Sequence, residues 1–347
     1  MTVTDLTYRE KEVLKFIIEN FVKSALPVGS RNVSKQTELN LSPASIRNIM
    51  SDLEEMELIS TPHTSAGRIP TDKGYRFYVD SLMKDEKLSE EEKKYLNTLF
   101  NDSENIGYDN TKVFSEISLI LGKISHQLTI VTQPFLNDGV LESIELVSLS
   151  SSKILVVLNI SGGFVKTVIM EIDIEVSRRK LVAFGLYLNE KLSGLSLKVI
   201  KETFIERVKD SATIDSNLIQ MFINSKDKIY GDTDADNKIF VGGRGEIILQ
   251  PEFDDPASFK KIVDIAEDRN LVVHVLNNSG IKDNTVMVKI GEEIREGKLK
   301  DYSLIVSSYK MGDVSGNVGI IGPKRINYAK MITLLKYTSQ LLSEIKT

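Results

Sequence analysis

The stretch that decides the fold is VGSRNVSKQTELNLSPASIRNIMSDLEEMELISTPHTSAGRIPTDKGYRFYVDSLM, residues 28–83. It spells a short helix, a tight turn, a second helix, and then a hairpin rich in small hydrogen-bond donors. Ser30 is placed to cap a helix over about residues 31–37, and Leu39-Asn40-Leu41 supplies the turn. Ser42 caps the next helix, with Pro43 in its first turn, where a missing amide costs nothing. Behind that cap Ile46, Ile49, Met50, Leu53 and Met56 recur at helical spacing and form one apolar stripe. The other face opens on Ala44, Ser45, Arg47, Asn48 and Ser51. Small residues there admit a close approach to a groove floor. Arg47 has the fork that matches guanine and Asn48 the amide that matches adenine, each such pair discriminating by roughly 1–3 kcal/mol.

Working outward, Arg9–Phe21 carries Val13, Leu14, Phe16, Ile17, Ile18 and Phe21 and predicts a helix with a broad buried face. Downstream, Leu58-Ile59-Ser60 and Arg68-Ile69 read as hairpin strands whose tip is His63-Thr64-Ser65-Ala66-Gly67. Thr64, Ser65 and Arg68 can donate to phosphate oxygens or reach a minor groove, and His63 sits beside them with no neighbouring His or Cys to make it a metal ligand. Thr71 caps a helix over Lys73–Met83, with Tyr75, Tyr78, Val79 and Leu82 turned inward. Three helices followed by a wing give a winged helix-turn-helix over residues 1–84. The alternative is a solvated helix surface beside an ordinary polar turn. The order of the elements favours DNA. Base contacts are expected from Ser45, Arg47, Asn48 and Ser51, with Ser42 and Ala44 at the same helix start. Backbone and wing contacts are expected from Arg31, Lys35, His63, Thr64, Ser65 and Arg68.

The formal net charge of −5 runs against a DNA binder, but its distribution does not. Residues 1–83 hold ten Lys/Arg and eleven Asp/Glu. Lys23, Arg31, Lys35 and Arg47 against Glu38 leave +3 over residues 23–51, and Arg68, Lys73 and Arg76 against Asp72 leave +2 over 60–76. Local sign governs phosphate attraction, since charges beyond about 10 Å are largely screened at 0.1 M salt. The acids of Asp52–Glu57 are expected to face away from the duplex.

With 347 residues, 41% hydrophobic and 27% charged, the chain has room for two or three globular domains. Its lack of cysteine excludes disulfides, thiol catalysis and thiolate metal sites. No apolar run approaches membrane-spanning length, and MTVTDLTYREKEV has none of the features of a signal peptide, which together point to the cytoplasm. There is no Gly-x-Ser-x-Gly elbow, phosphate loop or dinucleotide fingerprint, so neither an enzyme nor a bound cofactor is expected. Asp232–Asn237 resembles the start of a calcium loop, but Asn237 and Gly243 stand where the sixth-position glycine and twelfth-position glutamate belong. His63, His126 and His274 have no ligand spacing.

Beyond the head, residues 85–110 read as a helical linker, opened by the capping box Ser89/Glu92. A helix over about Thr111–Leu128 leads to strands at Leu141–Leu149, Lys153–Ile160 and Phe164–Glu171, the last two joined through Ser161-Gly162-Gly163. Helices follow at about Val176–Asn189, Ser196–Lys209 and Asn217–Ser225. Strands are expected at Ile239–Val241, Ile247–Leu249, Leu271–Leu276, Val286–Ile290, Ser303–Tyr309 and Val318–Ile321, with a helix at Ser258–Asp268 and a closing helix from Ile326 to about Ile345. The fold class is α+β. A GAF-like antiparallel sheet domain is built from 111–174 and 246–347, and a mainly helical segment is inserted over 175–245. A small-molecule sensor carrying a DNA head is the alternative function that such a sheet leaves open.

PVGSR (27–31), LSPASIRN (41–48), HTSAGRIPT (63–71) and GYRFYVD (74–80) closely resemble the HrcA family of heat-inducible transcription repressors. The resemblance resumes in VGGRGEIILQPEF (241–253), VKIGEE (288–293) and YKMGDVSGNVGIIGPKRINYAKM (309–331). It implies a negative regulator of chaperone operons that binds an inverted repeat of the CIRCE type as a homodimer. The inserted segment would dimerise the chain. The chaperonin GroEL would maintain the active repressor, and heat would inactivate it.

Overall fold

The computed structural model describes residues 6–62, 67–103, 110–172, 176–209, 215–231, 239–277 and 285–344. They divide into two compact units, one of Met1–Val131, Phe240–Ser307 and Val318–Thr338, the other of Thr132–Ile239, Ser308–Asn317 and Ser339–Thr347.

The first unit opens with α1 (Tyr8–Ser24), α2 (Ser30–Gln36), α3 (Pro43–Glu55), strands β1 (Ile59–Ser60) and β2 (Ile69–Pro70), and α4 (Asp72–Phe77). A reciprocal capping box of Thr7 and Glu10 starts α1, and Ala25 in the left-handed region (φ 55°) ends it. The cap of α2 is Gly29, not Ser30, which sits one residue inside the helix. Asn40 takes φ 52°, and the Ser34 hydroxyl donates to the Leu41 carbonyl at 2.7 Å, closing the turn into α3. Val13, Leu14, Ile17 and Ile18 of α1 and Ile46, Met50 and Leu53 of α3 are buried, with Tyr75 of α4. The expected helix over 73–83 is α4 followed by a wider π turn, Tyr78–Leu82.

The chain continues through α5 (Glu90–Ser103), α6 (Asn110–Ser125) and β3 (Leu128–Thr132). The helix expected to reach Leu128 stops at Ser125, because His126 adopts φ 54° and its amide closes onto the Gly122 carbonyl. All five residues of β3 are buried, so the strand has no alternation to reveal it.

The second unit is built on β4 (Leu141–Ser150), β5 (Lys153–Ile160) and β6 (Phe164–Glu171), joined as an antiparallel meander. Gly162 and Gly163 both take positive φ in the second hairpin, as a tight primed turn requires. These strands form their own three-stranded sheet, correcting the expectation that they extend the C-terminal one. Short hairpins pair each strand with its sequence neighbour, which leaves β4 and β6 as the edges of the sheet. Helices α7 (Arg178–Leu192), α8 (Leu197–Val208) and α9 (Ser216–Tyr230) belong to the same unit. Asn189 of α7 exchanges hydrogen bonds with the Ile144 backbone of β4 at 2.7 and 2.8 Å. Ile144, Val156, Leu158, Val168 and Met170 are buried, with Phe184, Phe204 and Phe222. On the opposite sheet face Val147, Val165 and Ile169 are 43–59% exposed, a row of aliphatic side chains open to solvent.

Next come β7 (Ile239–Gly242), α10 (Arg244–Ile247), α11 (Pro256–Glu267), α12 (Arg269–Asn277), β8 (Val286–Ile290), β9 (Tyr302–Met311), β10 (Val314–Pro323) and α13 (Tyr328–Glu344). The five-stranded sheet runs β7-β3-β10-β9-β8. Two expected strands are helices. At 271–276 the Asp268 carboxylate receives the Leu271 amide at 3.0 Å, and Val272, Val275 and Leu276 are buried at helical spacing, which overrides the β propensity of the valines. At 247–249 the positive φ of Gly243 leads instead into the short α10, which ends at Ile247 in a turn over 248–249. Among the described residues no helix is long and apolar enough to cross a membrane.

Within the first unit the head is tied to this sheet. The Arg76 guanidinium meets both Glu293 oxygens, at 2.9 and 2.5 Å, and donates to the Val288 carbonyl at 2.6 Å. Asp72 pairs with Lys324 at 2.6 Å, and the Tyr75 and Tyr328 rings lie 5.7 Å apart. Arg325 bonds both Glu252 and the Val22 carbonyl at the end of α1.

Two consequences are measurable. A Cβ on Gly74 would fall 2.0 Å from the Leu58 carbonyl oxygen. Gly74→Ala should therefore destabilise the head by about 1–3 kcal/mol, read as a lower melting temperature; an unchanged melt would contradict the close approach. Burial of Glu293 opposes its ionisation, but the Arg76 hydrogen bond and the Ile290 amide hold its carboxyl below the usual range. Its contribution is thus complete above the ordinary glutamate value of about 4.3 and is lost as pH falls through the lowered folded value. Glu293→Gln should flatten that part of the acid limb in a pH series of thermal melts.

Candidate nucleic-acid interface

The reading surface is assembled on α3. The Ser42 side chain accepts the Ser45 amide at 3.1 Å, and the two hydroxyls lie 3.0 Å apart, so both serines serve the helix start. With Ile46, Met50 and Leu53 buried, helical geometry turns the remaining positions outward: Ala44, Arg47, Asn48 and Ser51 are exposed and Ser45 is half-buried. Arg31 and Lys35 are exposed on α2. Among the described residues, Arg31, Lys35, Arg47 and Asn48 form no side-chain hydrogen bond or ion pair with the rest of the chain. Their donors are available to an external acceptor.

The cations after the wing are placed differently. Arg68 meets Glu54 at 2.9 Å, Lys73 meets Glu57 at 3.3 Å, and Arg76 is held by Glu293 and Asp80. The +2 read over 60–76 is therefore answered by carboxylates of the same unit, whereas the +3 over 23–51 remains as the positive surface. Glu54 and Glu57, expected simply to face away, are the partners of Arg68 and Lys73. Glu54 was not singled out from sequence. The two charges are fourteen residues apart, and the only available signal was an acid near the end of a recognition helix facing a basic wing strand.

At the foot of the wing, Arg68 exchanges two backbone hydrogen bonds with Val28, each 2.9 Å, adding the loop between α1 and α2 to the hairpin. Ile59 pairs with Pro70 and Ser60 with Ile69. His63, Thr64 and Ser65 at the tip lie outside the described residues, as does the acidic run 232–237. His126 accepts the Gln250 amide on its carbonyl at 2.6 Å, and His274 sits 3.1 Å from Glu296. Lys324 and Arg325, in the turn between β10 and α13, are engaged by Asp72 and Glu252. Among the described residues no group of His, Asp and Glu side chains has the arrangement of a metal site.

Comparison with known proteins agrees with this geometry. Residues 5–82 match the family model of the winged helix-turn-helix transcription repressor, HrcA DNA-binding domain, and residues 111–332 match that of the HrcA protein C terminal domain. The heat-inducible transcription repressor HrcA of Prosthecochloris aestuarii is 37% identical over 349 residues, covering 99% of this chain and 98% of its own. That of Chlorobaculum tepidum is 39% identical over 351 residues, with 99% and 98% covered. A solved structure described as a hypothetical protein at 2.2 Å resolution superposes with a TM-score of 0.57 at 21% identity, covering 100% of this chain and 99% of that one, a likeness of fold. Both family models and the near-complete span of the relatives agree: the chain belongs to the HrcA family of heat-inducible transcription repressors.

Proposed function

We propose that this protein represses chaperone operons in the cytoplasm by binding an inverted-repeat, CIRCE-type operator as a homodimer. The observation that carries the proposal is the set of unpartnered donors, Arg47 and Asn48 on α3 with Arg31 and Lys35 on α2, standing outward from a helix whose other face is buried. Arg47 and Asn48 read base edges in the major groove, with Ala44, Ser45 and Ser51 allowing close approach. Arg31 and Lys35 neutralise flanking phosphates, and His63, Thr64 and Ser65 at the wing tip reach the backbone or minor groove. A two-fold protein reads a two-fold site.

The exposed aliphatic row Val147, Val165 and Ile169 supports the homodimer, though through β4 and β6 and not the 175–245 segment that the resemblance implied, because an apolar patch of that kind is a surface a second copy can cover. The five-stranded sheet β7-β3-β10-β9-β8, with β4–β6 set apart in a sheet of their own, is what supports the GAF-like reading of the C-terminal domain. Modulation by GroEL and by heat rests on the family resemblance. It is tested by whether GroEL raises the operator-binding fraction of heat-treated protein.

Arg47→Ala should weaken operator binding by roughly 1–3 kcal/mol and relax specificity at one base pair per half-site, measured by anisotropy titration against single-base operator variants. A loss that is equal on every sequence would assign Arg47 to phosphate. Val165→Asp combined with Ile169→Asp should yield a folded monomer by analytical ultracentrifugation, with operator affinity reduced in step. A variant that remains dimeric would remove that face from the interface.

A further inference from the structure

The Arg68 side chain is 20% exposed and its Nη2 lies 2.9 Å from a Glu54 oxygen, while Glu54 itself is 33% exposed. The other Glu54 oxygen, Oε1, accepts the Thr61 hydroxyl at 2.6 Å. The Arg68 backbone is bonded in both directions to Val28. The pair thus joins α3, the outgoing side of the wing at Thr61, its returning side at Arg68, and the loop before α2. The Arg68 Nε is buried without a hydrogen-bond partner, so the side chain is enclosed at its neck as well as held at its end. Arg47, by contrast, is exposed and among the described residues has no side-chain hydrogen bond or ion pair. A guanidinium that is enclosed and already bonded to a carboxylate has little left to offer a phosphate. An interaction that spans both wing strands and the recognition helix fixes the angle between them.

We propose that Arg68 and Glu54 are a positioning pair that sets the wing against the recognition helix, and that Arg68 makes no contact with the DNA backbone. This assignment rests on the DNA-reading function proposed above. It replaces the direct wing contact expected of Arg68 from sequence, and it gives Glu54, an acid beside a polyanion, a reason to be there. An acid so placed repels phosphate unless a cation holds it, so the two residues are useful only together.

The test uses the full-length protein and a labelled inverted-repeat duplex, titrated by anisotropy over a salt series. The variants are Glu54→Gln, Arg68→Ala, the two combined, and the charge exchange Glu54→Arg with Arg68→Glu. Glu54→Gln keeps the shape of the side chain, which makes it informative even where Arg68→Ala disturbs folding. The single variants should each weaken binding by ~10-fold, the double should be no worse than either, and the exchange should recover most of the loss, as coupled neighbours do. The slope of log K against log salt should stay that of the wild type in all of them. A positioning pair predicts this because no phosphate contact is removed. Tighter or unchanged binding by Glu54→Gln, or a slope smaller by about one phosphate contact in Arg68→Ala, would overturn the proposal and place Arg68 on the backbone. An exchange variant weaker than both singles would overturn it as well. Wild-type protein that binds the repeat no better than a scrambled duplex would instead contradict the DNA-reading function, and this assignment with it.

Discussion

The burial of Ile46, Met50 and Leu53 beneath α3, alongside Val13, Leu14, Ile17 and Ile18 of α1, is the interaction on which the reading head depends. Full burial of one such aliphatic side chain stabilises by roughly 1.5–3 kcal/mol. That is ample to fix the helix about its own axis. Once the stripe is inward, Arg47 and Asn48 have no choice but to face solvent. Ser42 fixes where the helix begins, and the turn at Asn40 fixes its approach from α2. The outward face that we propose reads DNA is thus a by-product of packing. The protein never builds a reading face directly; it buries the opposite one.

Electrostatics then separates the cations into two roles. Those on α2 and α3 are left unpaired and carry the local positive field. Those after the wing are absorbed into contacts that hold the head in place: Arg68 to α3, Lys73 to Glu57, and Arg76 to Glu293 beside the five-stranded sheet. A chain with a formal charge of −5 can bind DNA because Glu54, Glu57 and Asp72 pair with cations, while the exposed Asp52 and Glu55 sit at the far end of α3 from Ala44 and Ser45. Exposed ion pairs are individually worth little. Their value in this head is geometric, since Asp72 and Arg76 tie α4, the helix after the wing, to Lys324 and Glu293.

Much of the head was legible because its signals are local. The stripe in α3, the Ser42 cap and the wing strands all follow from spacing of a few residues, and each stands within a residue or two of its expected place. What was not legible depends on partners distant in sequence. β3 is buried on both sides and has no alternation, so the expected helix ran on into its first residue, Leu128, and 129–132 gave no strand signal. The 271–276 run is rich in β-branched residues, yet a single carboxylate at Asp268 starts a helix there. The separate sheet of β4, β5 and β6 looked continuous with the later strands because periodicity reports a strand's faces and never its neighbours. For the same reason, counting charges along 60–76 gave a positive wing, while the folded chain pairs those charges with Glu54, Glu57 and Glu293.

The most direct test of the central claim is the affinity of the intact protein for a labelled inverted-repeat duplex against a scrambled duplex of equal length and composition, across a salt series. A strong preference for the repeat, with two protomers bound and the preference retained as salt rises, is what an outward-facing Arg47 and Asn48 require. Equal and steeply salt-dependent binding to both duplexes would mean that α3 touches only the backbone. That result would contradict base reading by Arg47 and Asn48.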